Sequence, residues 1–189
     1  MPQYVMILAG LSLLTLFLFP IWRITLIAPQ YPDGVSMYIH INKIIGDTPG
    51  TLQNINILNH YVGMKYIEPD SIPELRYFPW IICVMAALAM VAGLLNRGWA
   101  IWAWTILMIV LAVLGIYDFY LWEYDYGHNL SPNAPIKIPD ASFQPPLFGT
   151  KQILNFTAKS FPHLGGYLAG IAIILGFAAG ILKWKKEQI

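Results

Sequence analysis

Residues 78–121 read FPWIICVMAALAMVAGLLNRGWAIWAWTILMIVLAVLGIYDFYL and determine the class of fold. The stretch holds two long apolar runs, residues 78–95 and 99–121, separated only by the tripeptide Asn-Arg-Gly at 96–98. A helix needs about 20 mostly apolar residues to cross a hydrocarbon core of roughly 30 Å. We therefore predict two membrane-spanning helices joined as a tight hairpin.

The composition of the chain also requires a lipid environment. Hydrophobic residues make up 57% of the 189 residues and charged residues only 11%, whereas soluble domains have about 25% charged residues. The net charge of +1 provides no electrostatic basis for binding nucleic acid. Because Cys83 is the single cysteine, an internal disulfide and a multi-cysteine zinc or iron–sulfur site are excluded.

Two further apolar windows, residues 4–26 and 164–182, are long enough to span a bilayer. With the hairpin they predict an all-α membrane protein with four transmembrane helices, forming a single domain over residues 1–189. The two long connections, residues 27–77 and 122–163, then form irregular outer segments with short helix and strand pieces. The first window lacks a preceding basic region, so we expect it to remain as an uncleaved anchor.

The basic residues beside the short segments predict the orientation. Arg97 lies in the hairpin turn, and Lys183, Lys185 and Lys186 follow the last window. Two predicted helices, the third and the fourth, separate these groups, so both groups lie on the same side of the membrane. Positive residues favour the cytoplasmic side. We therefore expect a multi-pass protein of the bacterial cytoplasmic (inner) membrane with cytoplasmic N- and C-termini and both long segments outside.

Local patterns within the outer segments predict short elements. Residues 35–42 alternate apolar and polar side chains, which indicates a half-buried strand, and residues 51–64 have apolar side chains at helical spacing. Residues 71–74 read Ser-Ile-Pro-Glu, a capping-box pattern that predicts the start of the second membrane helix. Residues 151–158 are expected to form a short interfacial helix.

The candidate metal ligands cluster on the outer side. If residues 51–64 are helical, His60 and Met64 are one turn apart on the same face. Imidazole and thioether together favour copper(I), and Asp118 is a carboxylate near the edge of the hydrocarbon, where charged groups are costly. The full candidate set is His60, Met64, Met37, His40, His128, His163 and Asp118.

Simpler interpretations of the same residues remain open. Met64 can be a packing residue, His163 an interfacial helix cap, and Asp118 a side chain that snorkels to water. Haem at the outer edge between His128 and His163 is an alternative cofactor, although a transmembrane haem normally has its axial histidines within the helices. Hydrolysis needs a nucleophile beside a base. Ser160 near His163 is the only candidate pair that is close in the sequence, and we discount it. We therefore do not predict an enzyme.

Two stretches of the first outer segment resemble a known group of proteins. Residues 28–34 read APQYPDG and residues 54–64 read NINILNHYVGM. Together they resemble uncharacterised small four-helix membrane proteins encoded among nitrous oxide reductase accessory proteins in Bacteroidetes-like bacteria. The resemblance implies a role in maturing, or supplying electrons to, a copper enzyme outside the membrane.

The sequence therefore predicts a non-enzymatic accessory protein that binds or relays copper on the outer face of the inner membrane. Its expected partners are the lipid bilayer and a membrane or periplasmic protein, and no nucleic acid. One alternative is a membrane electron-transfer component that uses haem or quinol. Another is a structural small subunit of a larger membrane complex.

Overall fold

A computed structural model describes residues 1–138 and 142–187 of the chain. The helices are α1 (Pro2–Leu14), α2 (Thr51–Val62), α3 (Glu74–Leu95), α4 (Gly98–His128) and α5 (Leu164–Glu187). The strands are β1 (Trp22–Ala28), β2 (Tyr31–Ile39), β3 (Ile44–Gly46), β4 (Gly149–Ile153) and β5 (Phe156–Pro162). We call α1, α3, α5 and most of α4 the helix layer. The five strands, α2 and the last two turns of α4 form the sheet layer.

The five strands form one antiparallel sheet in the order β3-β2-β1-β5-β4. The central strand β1 pairs with β2 on one side, where Ile24 is opposite Met37, and with β5 on the other, where Ile24 is opposite Ser160. The indole nitrogen of Trp22 donates a hydrogen bond of 2.7 Å to the hydroxyl of Ser160, 138 residues away in sequence. The prediction of an all-α protein with four spanning helices is therefore wrong.

The first apolar window accounts for much of this error. Its helix, α1, ends at Leu14 and continues only as a 3₁₀ turn, Thr15–Phe17. Pro20 then interrupts helical geometry because proline has no backbone N–H to donate. The next residues, WRITLIA, are rich in the β-branched and aromatic side chains that favour strands, and they form β1. Residues 4–26 thus contain a short helix and most of a strand.

The predicted interfacial helix at residues 151–158 is also wrong, because this stretch forms the β4–β5 hairpin. Its turn is made by Leu154 and Asn155, and Leu154 takes a positive φ of 52°. Ile153 and Ala158 are buried under the sheet beside Phe143. Of the apolar residues that suggested contact with lipid, Ile153 and Phe156 pack in a protein core, whereas Leu154 is exposed in the turn.

Several local predictions are confirmed. α3 and α4 form the tight helical hairpin, and Asn96 closes α3 in the left-handed conformation with φ of 47°. The strand β2 includes residues 35–39 of the alternating stretch predicted at 35–42, and α2 covers residues 51–62 of the helix predicted at 51–64. The capping box is not formed: the Ser71 hydroxyl donates instead to the backbone oxygen of Glu68, at 2.8 Å.

Three helices, α3, α4 and α5, are long and apolar enough to cross a membrane, and α1 with its 3₁₀ turn is a shorter apolar helix. α1 runs antiparallel to α3 at close range. A Cβ on Gly10 would lie 2.9 Å from the backbone oxygen of Ala86, and one on Gly93 would lie 3.0 Å from that of Gln3. Glycine at both positions therefore permits the close approach of the two backbones.

The remaining contacts of the helix layer are made by small and aromatic residues. The Ser12 hydroxyl of α1 donates to the backbone oxygen of Leu168 in α5, at 2.9 Å. The indole nitrogen of Trp104 in α4 donates to the backbone oxygen of Met85 in α3, at 2.8 Å. Gly176 of α5 lies against Trp104. These polar contacts satisfy groups that lipid would leave unpaired.

The sheet layer caps one end of the helix layer. α1 leads into β1, α4 ends beside the sheet, and β5 leads directly into α5. The α3–α4 turn and the C-terminal end of α5 consequently lie at the opposite end. A second core lies between the sheet, α2 and α4. Its centre is formed by Ile24, Val35, Met37, Ile55 and Tyr126.

Candidate functional site

Two histidines lie at the end of the sheet that joins the helix layer. His40 follows β2, and its backbone N–H donates to the Lys43 oxygen at 2.8 Å. His163 links β5 to α5, and its backbone N–H donates to the Ile21 oxygen at 3.0 Å. Because β2 and β5 flank β1, their ends bring these two residues to the same edge of the sheet. We call them the His40–His163 pair.

The pair has unpartnered ring nitrogens. His40 is only 6% exposed, and neither of its ring nitrogens has a hydrogen-bond partner. The Nδ1 of His163 is also buried without a partner, while the ring of Tyr38 packs edge-on against His163 at 5.4 Å. Burial lowers the pKa of His40, and the charges of Lys43 and His163 lower it further. The imidazole of His40 is therefore neutral at physiological pH, with a lone pair free to bind a metal.

The lowered pKa predicts that His40 makes the fold acid-sensitive. In the folded protein the pKa of His40 lies below its ordinary value of 6.5, so the unfolded chain takes up this proton first as the pH falls. The stability contributed by neutral His40 is complete above about pH 6.5 and decreases below it. We expect acidification from about pH 8 to about pH 5 to destabilise the wild type more than His40→Gln.

Thermal unfolding in detergent at the two pH values measures this difference. His60→Gln is the matched control, because His60 is exposed on α2. The control is expected to have the acid sensitivity of the wild type. An equal loss of stability in the wild type and His40→Gln would contradict the role of His40.

The predicted His60–Met64 pair does not share a helix face. α2 ends at Val62 because Gly63 adopts a left-handed conformation with φ of 83°. His60 is exposed, and its ring stacks on Tyr66. Met64 instead packs against the core beneath the sheet. The geometric premise of the sequence-based pair is therefore wrong.

Two further candidates, His128 and Asp118, lie on α4. The exposed ring of His128 stacks on Tyr124 at 4.0 Å, and Asp118 is half-buried with Glu74 as a charged neighbour. Phe119 contacts Trp22 at the level where β5 enters α5. At 1.5 Å per residue, His128 lies roughly 13 Å further along α4. Haem held between His128 and His163 stays a prediction.

A cavity lies beneath the sheet and contains the other two candidates, Met37 and Met64. It has a volume of about 210 Å³ and is enclosed by β1, β2, α2, the end of α4 and the segment around Phe143 and Pro145. At its side lies Glu123, which is 0% exposed and has no hydrogen-bond partner at either carboxyl oxygen. We call this space the Glu123 cavity.

Glu123 is a functional candidate that the sequence-based prediction missed. The signal was present: Glu123 shares a helix face with Phe119 and Tyr126, four residues before it and three after. An acidic residue on an apolar helix face is unusual. Our prediction considered Asp118 instead. The other acidic residue nearby on α4, Asp125, forms a surface ion pair with Lys65.

Known proteins offer no assignment for these sites. Comparison with protein-family models, with curated proteins and with solved structures finds no match to the chain. Within residues 1–138 and 142–187, no three or more His, Cys, Asp or Glu side chains come together as a metal site. The His40–His163 pair and the Glu123 cavity are therefore the two candidate sites of the described residues.

Proposed function

We propose that the protein is a non-enzymatic accessory membrane protein that binds copper at the His40–His163 pair on the outer face of a bacterial inner membrane. The observation that supports this function is a buried imidazole, His40, with both nitrogens unpartnered, beside a second histidine with an unpartnered nitrogen. Buried polar groups normally have hydrogen-bond partners. A neutral imidazole with an unpaired lone pair is suited to a metal ion.

The ligand set favours copper as a transferred ion. Imidazole is a good ligand for copper, zinc, iron and nickel, and copper(II) binds most tightly among the divalent first-row metals. Two histidines of this chain leave the coordination of the metal incomplete. A third ligand supplied by a membrane or periplasmic partner protein would complete it. A site completed by its partner is suited to relaying copper and releases the ion when the partner departs.

The proposed orientation rests on the arrangement of charges. Arg97 lies in the α3–α4 turn, and Lys185 and Lys186 lie in the last turn of α5. Both groups occur at the end of the helix layer that is opposite the sheet layer. Positive residues favour the cytoplasmic side of a membrane, so the sheet layer with its His40–His163 pair would face outwards.

Copper titration of histidine variants tests the proposal. The full-length protein in detergent is titrated with copper(II) in competition with a coloured copper(II) chelator. We expect His40→Gln and His163→Gln each to lower the copper affinity by about tenfold or more, a change of about 1.4 kcal/mol per tenfold. The reason is that each substitution removes one of two nitrogen donors.

The chain contains matched controls for this titration. His60→Gln and His128→Gln make the same substitution at exposed positions of the sheet layer. We expect both to keep the wild-type affinity. Equal affinity in all five proteins, or a loss only in His60→Gln, would contradict the assignment of copper to the His40–His163 pair.

A further inference from the structure

The Glu123 cavity has the character of a second binding site, independent of the His40–His163 pair. Most of its wall is apolar, and aromatic rings contribute to several sides. Trp122 and Tyr126 of α4 lie against each other, with ring centroids 4.3 Å apart. Tyr61, Phe143 and Phe156 also line the space. Apolar walls with very few polar groups are typical of sites for small molecules.

The carboxyl group of Glu123 is the unusual feature of the wall. Both of its oxygens are buried and lack a hydrogen-bond donor. Among the described residues that line the cavity there is no Lys, Arg or His that could form an ion pair with it. A buried carboxyl group without a hydrogen-bond partner lowers the stability of the fold. The described side chains around the cavity provide no cationic partner for Glu123. A ligand can provide this partner.

The position of the exposed lining residues indicates how a ligand enters. Gln30, Leu154 and Asn155 lie in the β1–β2 and β4–β5 turns, at the edge of the sheet furthest from the helix layer, and are exposed. Tyr61 is also 50% exposed. Glu123, Met37 and Ile24 line the buried part. The cavity therefore opens towards water and away from the hydrocarbon of a bilayer.

The volume of the cavity limits the size of the ligand. An engineered cavity of about 150 Å³ in another protein binds benzene. The Glu123 cavity, at about 210 Å³, holds one aromatic ring or a branched aliphatic group with a short polar head. A lipid with full-length acyl chains would exceed this volume.

We propose that the Glu123 cavity binds a small water-borne organic cation, with its ammonium group paired to Glu123 and its apolar body between the aromatic rings. An ammonium supplies up to three N–H donors to the two unpartnered oxygens. Charge-assisted hydrogen bonds of this kind are about twice as strong as neutral ones. The rings of Trp122, Tyr126 and Tyr61 in the wall of the cavity allow cation–π attraction to add to this pairing.

Two matched probes test the proposal by calorimetry on the full-length protein in lipid nanodiscs. 2-Phenylethylammonium and 2-phenylethanol have nearly the same size and shape but differ in charge. We expect the ammonium to bind the wild type about tenfold or more tightly than the alcohol. Glu123→Gln keeps the volume and removes the negative charge, so we expect it to reduce ammonium binding to the level of the alcohol.

Binding of 2-phenylethanol also reports whether the cavity of Glu123→Gln is intact, since we expect its affinity to be unchanged. Glu68→Gln makes the same substitution at an exposed position and should behave as the wild type. His40→Gln should also leave ammonium binding unchanged, which separates this proposal from the copper proposal. Preference of the wild type for the alcohol, retention of ammonium preference in Glu123→Gln, or displacement of the ammonium by stoichiometric copper(II) would overturn the assignment.

Discussion

Replacing Gly127 by alanine is expected to destabilise the protein by ~1–3 kcal/mol, a typical cost of overpacking a filled site. A Cβ at Gly127 would lie 2.4 Å from both the backbone nitrogen and the Cα of Gln144. These are backbone atoms, which cannot rotate away as a flexible side chain does. The backbone N–H of Phe143 also donates to the Gly127 oxygen at 3.0 Å, so a displaced segment would lose this hydrogen bond.

Gly115→Ala is the matched control on the same helix. A Cβ at Gly115 would meet no atom within 4 Å. Alanine is favoured over glycine by about 0.5–1 kcal/mol within a helix, so this substitution should raise stability slightly. Unfolding in detergent should therefore shift in opposite directions for the two variants. Equal stability of Gly127→Ala and the wild type would show that the segment at Gln144 does not lie against α4.

Glu123→Leu is expected to stabilise the ligand-free protein by ~1–3 kcal/mol. Leaving a buried polar group without a hydrogen-bond partner costs about this amount. Leucine has no polar side-chain atom, so it can be buried in the apolar wall of the cavity without this cost. The same change should abolish the preference of the cavity for 2-phenylethylammonium. A residue that lowers stability and carries binding is typical of a functional site.

Chemical unfolding of the wild type and Glu123→Leu without added ligand measures the gain. Glu68→Leu serves as the control, because Glu68 is exposed and its replacement should change stability by less than about 0.5 kcal/mol. A marked loss of stability in Glu123→Leu would mean that the carboxyl group has partners within the folded protein. That result would remove the physical basis for a ligand at Glu123.

The two proposed sites occupy different ends of the sheet layer. The His40–His163 pair lies where β2 and β5 meet the helix layer. The Glu123 cavity opens at the opposite edge, beside the turn at Leu154 and Asn155. A metal at one end and an organic cation at the other could bind without contact, so the two titrations test them separately.

Sequence reasoning identified the elements whose signal is contained within a short window. The α3–α4 hairpin follows from two apolar runs separated only by residues 96–98, and the strand β2 follows from alternation. Alternation also placed Met37 on this strand, whereas His40, predicted on the same strand, lies just after its end. Periodicity and hydrophobic length are properties of neighbouring residues, so they can be interpreted without knowledge of the rest of the chain.

The strand β1 shows why the remaining fold was missed. Its residues, 22–28, directly follow an apolar helix, so hydropathy alone joined them to a membrane span. Their partners are β2, close in sequence, and β5, which lies more than a hundred residues away. An apolar run has the same composition in a buried strand and in lipid, and only its pairing partners distinguish the two.

The sequence by itself determined that this protein contains helices long and apolar enough to cross a membrane, because hydrophobic length and the scarcity of charge are local quantities. It also brought His40, His163, Met37 and Met64 to attention as residues capable of binding a metal. Only the tertiary structure decided which of them meet: the sheet order brings His40 to His163, and Gly63 directs Met64 away from His60. Folding likewise buried Glu123 without a partner, because its burial depends on α2, the sheet and α4 together.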